Sequence, residues 1–160
     1  VGVFVNRPRE EVDSGAVRSG IHAIQLHGNE SPEDCVGFGR PVIKSFRVSP
    51  EKPFPVLEQY RVSGVLLDSG FGGAWGGTGV PIDWNYVVEH LNAAAETVRS
   101  RLVLAGGLNP ENVEQAIRLV QPSAVDVSSG VEDEPGKKNE HLIKEFIHAV
   151  RNAGLEQGLA

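Results

Sequence analysis

A single cysteine, Cys35, stands among the 160 residues, so an internal disulfide and a thiolate metal cluster are both excluded. Long apolar runs are missing too. No stretch approaches the roughly 20 apolar residues of a membrane helix, and no basic segment followed by an apolar one opens the chain as a secretory signal does. A cytoplasmic protein with no membrane partner is the expectation. Basic residues are in deficit, 15 Lys and Arg against 21 Asp and Glu, for a formal charge of −6. Proteins that grip a nucleic-acid backbone usually carry a basic patch or stripe, and basic residues interleaved with aromatics are absent here as well. Nucleic acid is therefore not an expected partner. The acidic balance leaves a small anionic ligand open, because backbone N–H groups can hold an anion without net positive charge. No Gly-x-Gly-x-x-Gly follows the first apolar run and no Gly-Lys-Ser/Thr closes a glycine loop, which removes the common dinucleotide and P-loop signatures. His22, His90, His141 and His148 show no ligand-like spacing, and no metal is expected. What remains is one ordinary domain, 40% hydrophobic and 22% charged, long enough for a single core.

Short Val/Ile/Leu-rich runs alternate with helix-like stretches along the chain. Runs at residues 1–5, 22–26, 42–46, 64–68, 102–105 and 124–128 are bounded by Gly, Pro or polar residues, as buried parallel strands tend to be. Between and after them the pattern predicts helices over residues 8–19, 32–37, 53–60, 83–100, 110–120 and 138–153. Proline near several of the starts fits the first helical turn, and Asn109 before Pro110 adds an N-cap residue. Six consecutive βα units imply an α/β fold with a parallel sheet, either open or part of a barrel. A closed (β/α)8 barrel needs eight such units. Val1 already lies inside an apolar run, and the expectation drawn from it is a truncated chain.

In such folds the functional residues gather at the C-terminal ends of the strands. Those positions hold Asn6, Gln25, His27, Gly28, Arg47, Asp68, Gly106, Gly107, Asp126, Ser128, Ser129 and Gly130, while the strands behind them are apolar. The last two ends read Ala105-Gly106-Gly107-Leu108 and Ser128-Ser129-Gly130. Glycines let backbone N–H groups approach a ligand with no Cβ in the way, and the loops after strands seven and eight of a barrel are a frequent phosphate site. The pair points to a phosphorylated substrate; tight strand-to-helix turns are the other reading. Asp68 ends an apolar strand ahead of a glycine-rich loop at residues 69–79, either a mobile cover or a plain connector. Desolvation at such a mouth favours a protonated carboxyl suited to general-acid work; a solvated, loop-capping Asp has no such role. Asp126 shares a strand face with Ser128, and a carboxylate there needs a substrate hydroxyl or a structural hydrogen bond. Gln25 and His27 share a face by the same alternation, His27 reading either as a catalyst or as a core-edge histidine. Cys35 lies away from any strand end and reads as packing, and Lys137 with Lys138 read as a solvated helix start.

Taken in order, several stretches resemble the phosphoribosylanthranilate isomerase family. They are Val1-Gly2-Val3-Phe4-Val5-Asn6, Gln25-Leu26-His27-Gly28, Leu66-Leu67-Asp68, and Gly76-Gly77-Thr78-Gly79 with Asp83-Trp84. Residues 104–113, 125–132 and 135–138 complete the set, so the likeness spans residues 1 to about 146. The resemblance implies a TIM (β/α)8 barrel of which this single domain supplies strands three to eight, an incomplete barrel lacking the first two βα units. It implies an Amadori rearrangement of N-(5-phosphoribosyl)anthranilate in tryptophan biosynthesis, with no metal or organic cofactor. On the matching positions Asp68 is implied as the general acid for the ribose ring oxygen. Gln25, His27 and Asp126 are implied as substrate-pocket residues, and Gly106, Gly107, Ser129 and Gly130 as phosphate-binding. The family's general-base cysteine, in a Lys-x-Cys-Gly-like motif of the first strand, has no counterpart in this chain, nor has an arginine after the second strand. Cys35 does not sit in such a motif, and Asn139 stands where many relatives carry Asp. The strands at residues 1–5 and 124–128 are expected to present unpaired edges, an opening for self-association. A non-catalytic phosphate-binding remnant and a different phosphate-handling barrel are the competing readings. The Gln-Leu-His-Gly and Gly-Gly-Thr-Gly motifs argue against the last.

Overall fold

The computed structural model describes residues 1–69, 82–91 and 96–157. The predicted strands form one parallel sheet whose spatial order is the chain order: β1 (Gly2–Phe4), β2 (Ile24–Leu26), β3 (Val42–Val48), β4 (Gly64–Ser69), β5 (Leu102–Leu104) and β6 (Ala124–Val125). A doubly wound sheet reverses its order at a switch point. This one never does, so its crossovers wind in a single sense.

Alternation then separates two faces. Ile24, Leu26, Val65, Leu67, Leu102 and Leu104 belong to the main core, packed with Val12 and Ala16 of α1 (Arg9–Arg18). The same core takes Val87 and Leu91 of α2 (Trp84–Leu91) and Val98 of α3 (Glu96–Arg99). In α4 (Val113–Val120) the buried Val113, Ala116, Ile117 and Val120 fall on one helical stripe, and that stripe meets the sheet. Each fully buried Val, Leu or Ile contributes about 1.5–3 kcal/mol. Leu66, between Val65 and Leu67, is buried but lies outside this core. Val3 is 59% exposed on the same side of the sheet. The helices therefore back one face, and the other is free to carry a site.

Two predicted helices are corrected. Residues 32–37 and 53–60 hold only single 3-10 turns, Glu33–Cys35 and Leu57–Gln59. Both segments are too short to repay helix nucleation, and Pro53 and Pro55 lack the N–H that a helix interior needs. The predicted helix over 83–100 begins with Asp83 accepting the Tyr86 N–H at 3.1 Å and is seen as α2 and α3, with residues 92–95 outside the described set. The helix start read at Lys138 is also corrected. Residues 132–138 form a hairpin, β7 (Glu132–Glu134) and β8 (Lys137–Lys138), turned by Pro135 and by Gly136 at φ 83°. Helix α5 (Glu140–Gln157) follows, and Asn139 Oδ1 accepts the N–H groups of His141 and Leu142 at its start. Asn caps as well as Asp does, which makes the exchange at this position benign.

Candidate active site

The register carries the strand ends to one rim. Gln25 lies beside Ile43, Ile43 beside Gly64, and Arg47 beside Asp68. Gln25 and His27 therefore reach the same face as Asp68 without being near it in sequence. His27 Nε2 stands 3.6 Å from Asp68 Oδ2, both side chains being nearly buried. The other ring nitrogen, Nδ1, is 3.0 Å from the Gln25 amide nitrogen. Asp68 Oδ1 accepts the N–H of Ser69 at 2.8 Å. Burial holds the His27 imidazole below its ordinary pKa, with the Lys44 and Arg47 charges acting the same way, and the Asp68 carboxylate offsets this only in part. His27 is thus a neutral ring near neutral pH.

Beneath this pair lies a charged knot that pattern reading missed. Lys44, 2% exposed, meets Glu30 Oε2 at 3.0 Å and also donates to the carbonyls of Gly28 and Ser45. Glu30 in turn accepts the N–H groups of Asn6 at 2.8 Å and Gly28 at 2.9 Å. Burial works to raise the Glu30 pKa, but the N–H groups of Asn6 and of Glu30 itself and the Lys44 ammonium outweigh it and hold the carboxyl below its usual range. One ion pair so ties the ends of β1, β2 and β3, including the glycine that follows His27. A lysine inside the apolar run Val42-Ile43-Lys44-Ser45-Phe46 was the available signal. A cavity of about 370 Å³ opens here, lined by His27, Lys44, Arg47 and Tyr60 among others.

The β5 and β6 ends are built differently. Gly106 has φ 81°, and a Cβ there would stand 2.5 Å from the Ser69 nitrogen and 2.9 Å from Asp68 Oδ1, so the loop closes directly on Asp68. Gly130 packs so tightly that a Cβ would overlap the Leu108 carbonyl, which locks the β5 loop against the β6 loop. Asn112 Nδ2 donates to the Gly107 carbonyl and its Oδ1 accepts the Asn109 N–H, both at 2.9 Å. Ser129 and Gly130 open a single 3-10 turn, whose first N–H groups find no acceptor within the turn. Lys138 donates to the Ser128 carbonyl at 2.9 Å and pairs with Glu132, fastening the same loop from outside. Asp126 continues from β6, its N–H donating to the Leu104 carbonyl. Burial and then the nearby Asp68 charge raise its carboxyl pKa, although the residue as a whole stays exposed and water moderates the effect.

Of the expected site residues, Gln25, His27 and Asp68 come together at the rim, Gly106 lies against Asp68, and Gly130 lies against Leu108 and Asn109 of the loop after β5. Gly76, Gly77, Thr78 and Gly79 lie outside the described residues. Cys35 is buried in the 3-10 turn after β2, its thiol pushed up to about 11 by burial, which suits packing and not base catalysis. Among the described residues no cluster of three or more His, Cys, Asp or Glu could hold a metal, and no helix is long and apolar enough to cross a membrane.

A one-way parallel sheet, backed by helices on one face and polar along one rim, defines a protein of the TIM-barrel-like α/β class. The family model for N-(5'phosphoribosyl)anthranilate (PRA) isomerase matches residues 1–149. A curated N-(5'-phosphoribosyl)anthranilate isomerase of Pelobacter propionicus is 43% identical over 156 residues, covering 98% of this chain and 72% of the relative. The solved mutually generated monomers of the dimeric Thermotoga maritima isomerase are 39% identical, with TM-score 0.75 over 94% of this chain and 71% of theirs. An isomerase solved with reduced 1-(o-carboxyphenylamino)-1-deoxyribulose 5-phosphate is 36% identical, with TM-score 0.70 over 94% of this chain and 70% of that one. The chain belongs to the phosphoribosylanthranilate isomerase family, a family of enzymes.

Proposed function

We propose that this site isomerises N-(5-phosphoribosyl)anthranilate to 1-(2-carboxyphenylamino)-1-deoxyribulose 5-phosphate, with Asp68 as the general acid. The observation that carries the reading is Asp68 at the end of β4, nearly buried, facing His27 and closed over by Gly106. The Asp68 proton goes to the ribose ring oxygen as the bond from that oxygen to C1 breaks, and the anthranilate nitrogen lone pair forms the C1=N Schiff base. A general base outside the residues assigned here takes the C2 proton to give an enolamine, and a proton then returns to C1 as the C2 hydroxyl gives up its own, leaving the C2 ketone. Cys35 is not the base for the second step. Asp126 serves a substrate hydroxyl, a role its raised pKa and rim position support. Gln25 and His27 line the pocket, and backbone groups of Gly106, Gly107, Ser129 and Gly130 hold the phosphate. The phosphate in the ligand solved with the 36% identical relative supports that assignment.

In the same proposal the chain is one domain whose strands are the third to eighth of an eight-strand barrel. Its span of 72% of the Pelobacter relative is in keeping with about six units in eight. β1 and β6 have no sheet neighbour on their outer sides among the described residues, and such edges favour pairing with a second copy; light scattering over a concentration series tests this. The activity is placed in the cytoplasm, which cell fractionation checks.

The primary test follows the loss of phosphoribosylanthranilate fluorescence with the purified chain and with Asp68→Asn. Removing the acid is expected to lower kcat about 10²- to 10⁴-fold. Undiminished turnover by Asp68→Asn sinks the assignment. A second reading, a phosphate-binding remnant, draws on the buried and unreactive Cys35. Calorimetric binding of the reduced product analogue with no turnover in the unmodified chain selects it.

A further inference from the structure

His27 Nε2 is buried and makes no hydrogen bond. Asp68 Oδ2 stands opposite it at 3.6 Å, too far for a bond but in line to accept one. The Asp68 Oδ1 atom is already taken by the Ser69 N–H, so Oδ2 is the oxygen left for chemistry. At the other end of the ring, the Gln25 amide nitrogen lies 3.0 Å from Nδ1. An amide nitrogen carries only hydrogens to offer, so Nδ1 must accept. A neutral imidazole with Nδ1 accepting bears its proton on Nε2. The same tautomer suits Asp68 once the acid has given up its proton, since a bare Nε2 lone pair facing a carboxylate would be repelled by it. The charged groups facing the ring are Lys44 and Arg47 from β3, Asp68 from β4, Glu30 beyond β2 and Asp126 beyond β6.

We propose that Gln25 is a positioning residue: it fixes His27 as the Nε2–H tautomer, making His27 a hydrogen-bond donor aimed at Asp68. When Asp68 has given its proton to the substrate, the Nε2–H closes on Oδ2 and stabilises the carboxylate that is left. No bond to carbon is made or broken in this step; the ring proton stays on Nε2 and only its acceptor changes. The catalytic part of this inference rests on the reading of Asp68 as the acid. The tautomer does not.

The test is imidazole nitrogen NMR of the full chain, labelled with ¹⁵N histidine, at about pH 7.5. The His27 signals are identified by their loss in His27→Gln. The expected spectrum has a protonated Nε2 coupled to an unprotonated Nδ1. Gln25→Leu is expected to give a mixture of tautomers. Gln25→Glu, whose carboxylate only accepts, is expected to move a proton onto Nδ1. A wild-type ring protonated on Nδ1 overturns the proposal, and this arm needs no variant to fold. So does a ring unchanged in folded Gln25→Leu and Gln25→Glu. In turnover, Gln25→Leu and His27→Gln should each lower kcat about 10- to 100-fold, and the double variant should be no worse than His27→Gln alone. A multiplicative double variant would show that Gln25 does not act through His27. The expected tautomer without any turnover counts against the isomerase reading and leaves the positioning role standing.

Discussion

The two halves of the rim solve different problems with different materials. From β1 to β4 the strand ends are organised by buried charge: Lys44 and Glu30 anchor the loops, and a neutral His27 faces Asp68. At β5 and β6 the work passes to backbone and neutral amides, with glycines in close contact and Asn109 and Asn112 bonding the loop to itself. A group that must give up a proton needs its surroundings tuned by other titratable groups. A phosphate needs N–H groups and room. The buried ion pair lies in one half, the second half carries the exposed Lys138–Glu132 pair and Asp126, and Gly106, touching Asp68, is where the halves meet.

The sharpest way to break this contrast is to remove a charge from the first half. Lys44→Met leaves Glu30 buried without its cation and is expected to cost about 3–5 kcal/mol in urea unfolding. Adding Glu30→Gln should recover much of that, because the uncompensated charge is then gone. A loss under about 1 kcal/mol for Lys44→Met would mean the ion pair is not the anchor described here.

Smaller effects are expected in the second half, where no charge is stranded. Gly130→Ala forces the β6 loop off the Leu108 carbonyl, a strain of about 1–3 kcal/mol. It should also weaken binding of the reduced product analogue about tenfold or more in titration calorimetry, a loss of about 1.4 kcal/mol. Unchanged affinity would remove this loop from the phosphate site. Asn112→Ala deletes the bonds to Gly107 and Asn109 and should cost about 1–2 kcal/mol by the same unfolding measurement.

The two halves were also unequally legible in the sequence. The glycine loops stand out as residue types, and the six strands stand out as apolar runs between breakers. Nothing local pairs Lys44 with Glu30 or His27 with Asp68. Those contacts depend on the register from β2 through β3 to β4, which one-dimensional pattern does not contain. The hairpin at residues 132–138 escaped for a simpler reason. Its strands are Glu132-Asp133-Glu134 and Lys137-Lys138, charged throughout, so no apolar alternation announces them and only Pro135-Gly136 hints at a turn. Residues 32–37 and 53–60 read as helices because a proline opens each one between two apolar runs, yet a parallel crossover requires only a path back, not a full helix.

The smallest effect separates the halves by pH. His27 is held below its reference value of 6.5, chiefly by burial. On acidification below 6.5 the unfolded chain therefore takes up a proton that the folded ring refuses until its own lower pKa, and the fold loses stability across that window. Glu30 acts with the same sign further down: its folded carboxyl stays ionised below 4.5, where the unfolded one protonates, so its contribution is present above 4.5 and is lost as the pH falls through the folded value. Asp126 opposes both, because its raised pKa lets the folded state bind a proton first on acidification. Urea unfolding at a series of pH values should show a fall beginning near 6.5 that His27→Gln removes, and a second fall below 4.5 that Glu30→Gln reduces, the remainder coming from Glu132, whose carboxyl is held low first by its hydrogen bond to Lys138. Asp126→Asn should leave both falls in place and deepen the net loss, since the opposing group is gone. If both falls survive His27→Gln and Glu30→Gln undiminished, the buried titrating charge of the fold does not lie in the β1–β4 half, and the division of labour drawn between the two halves fails.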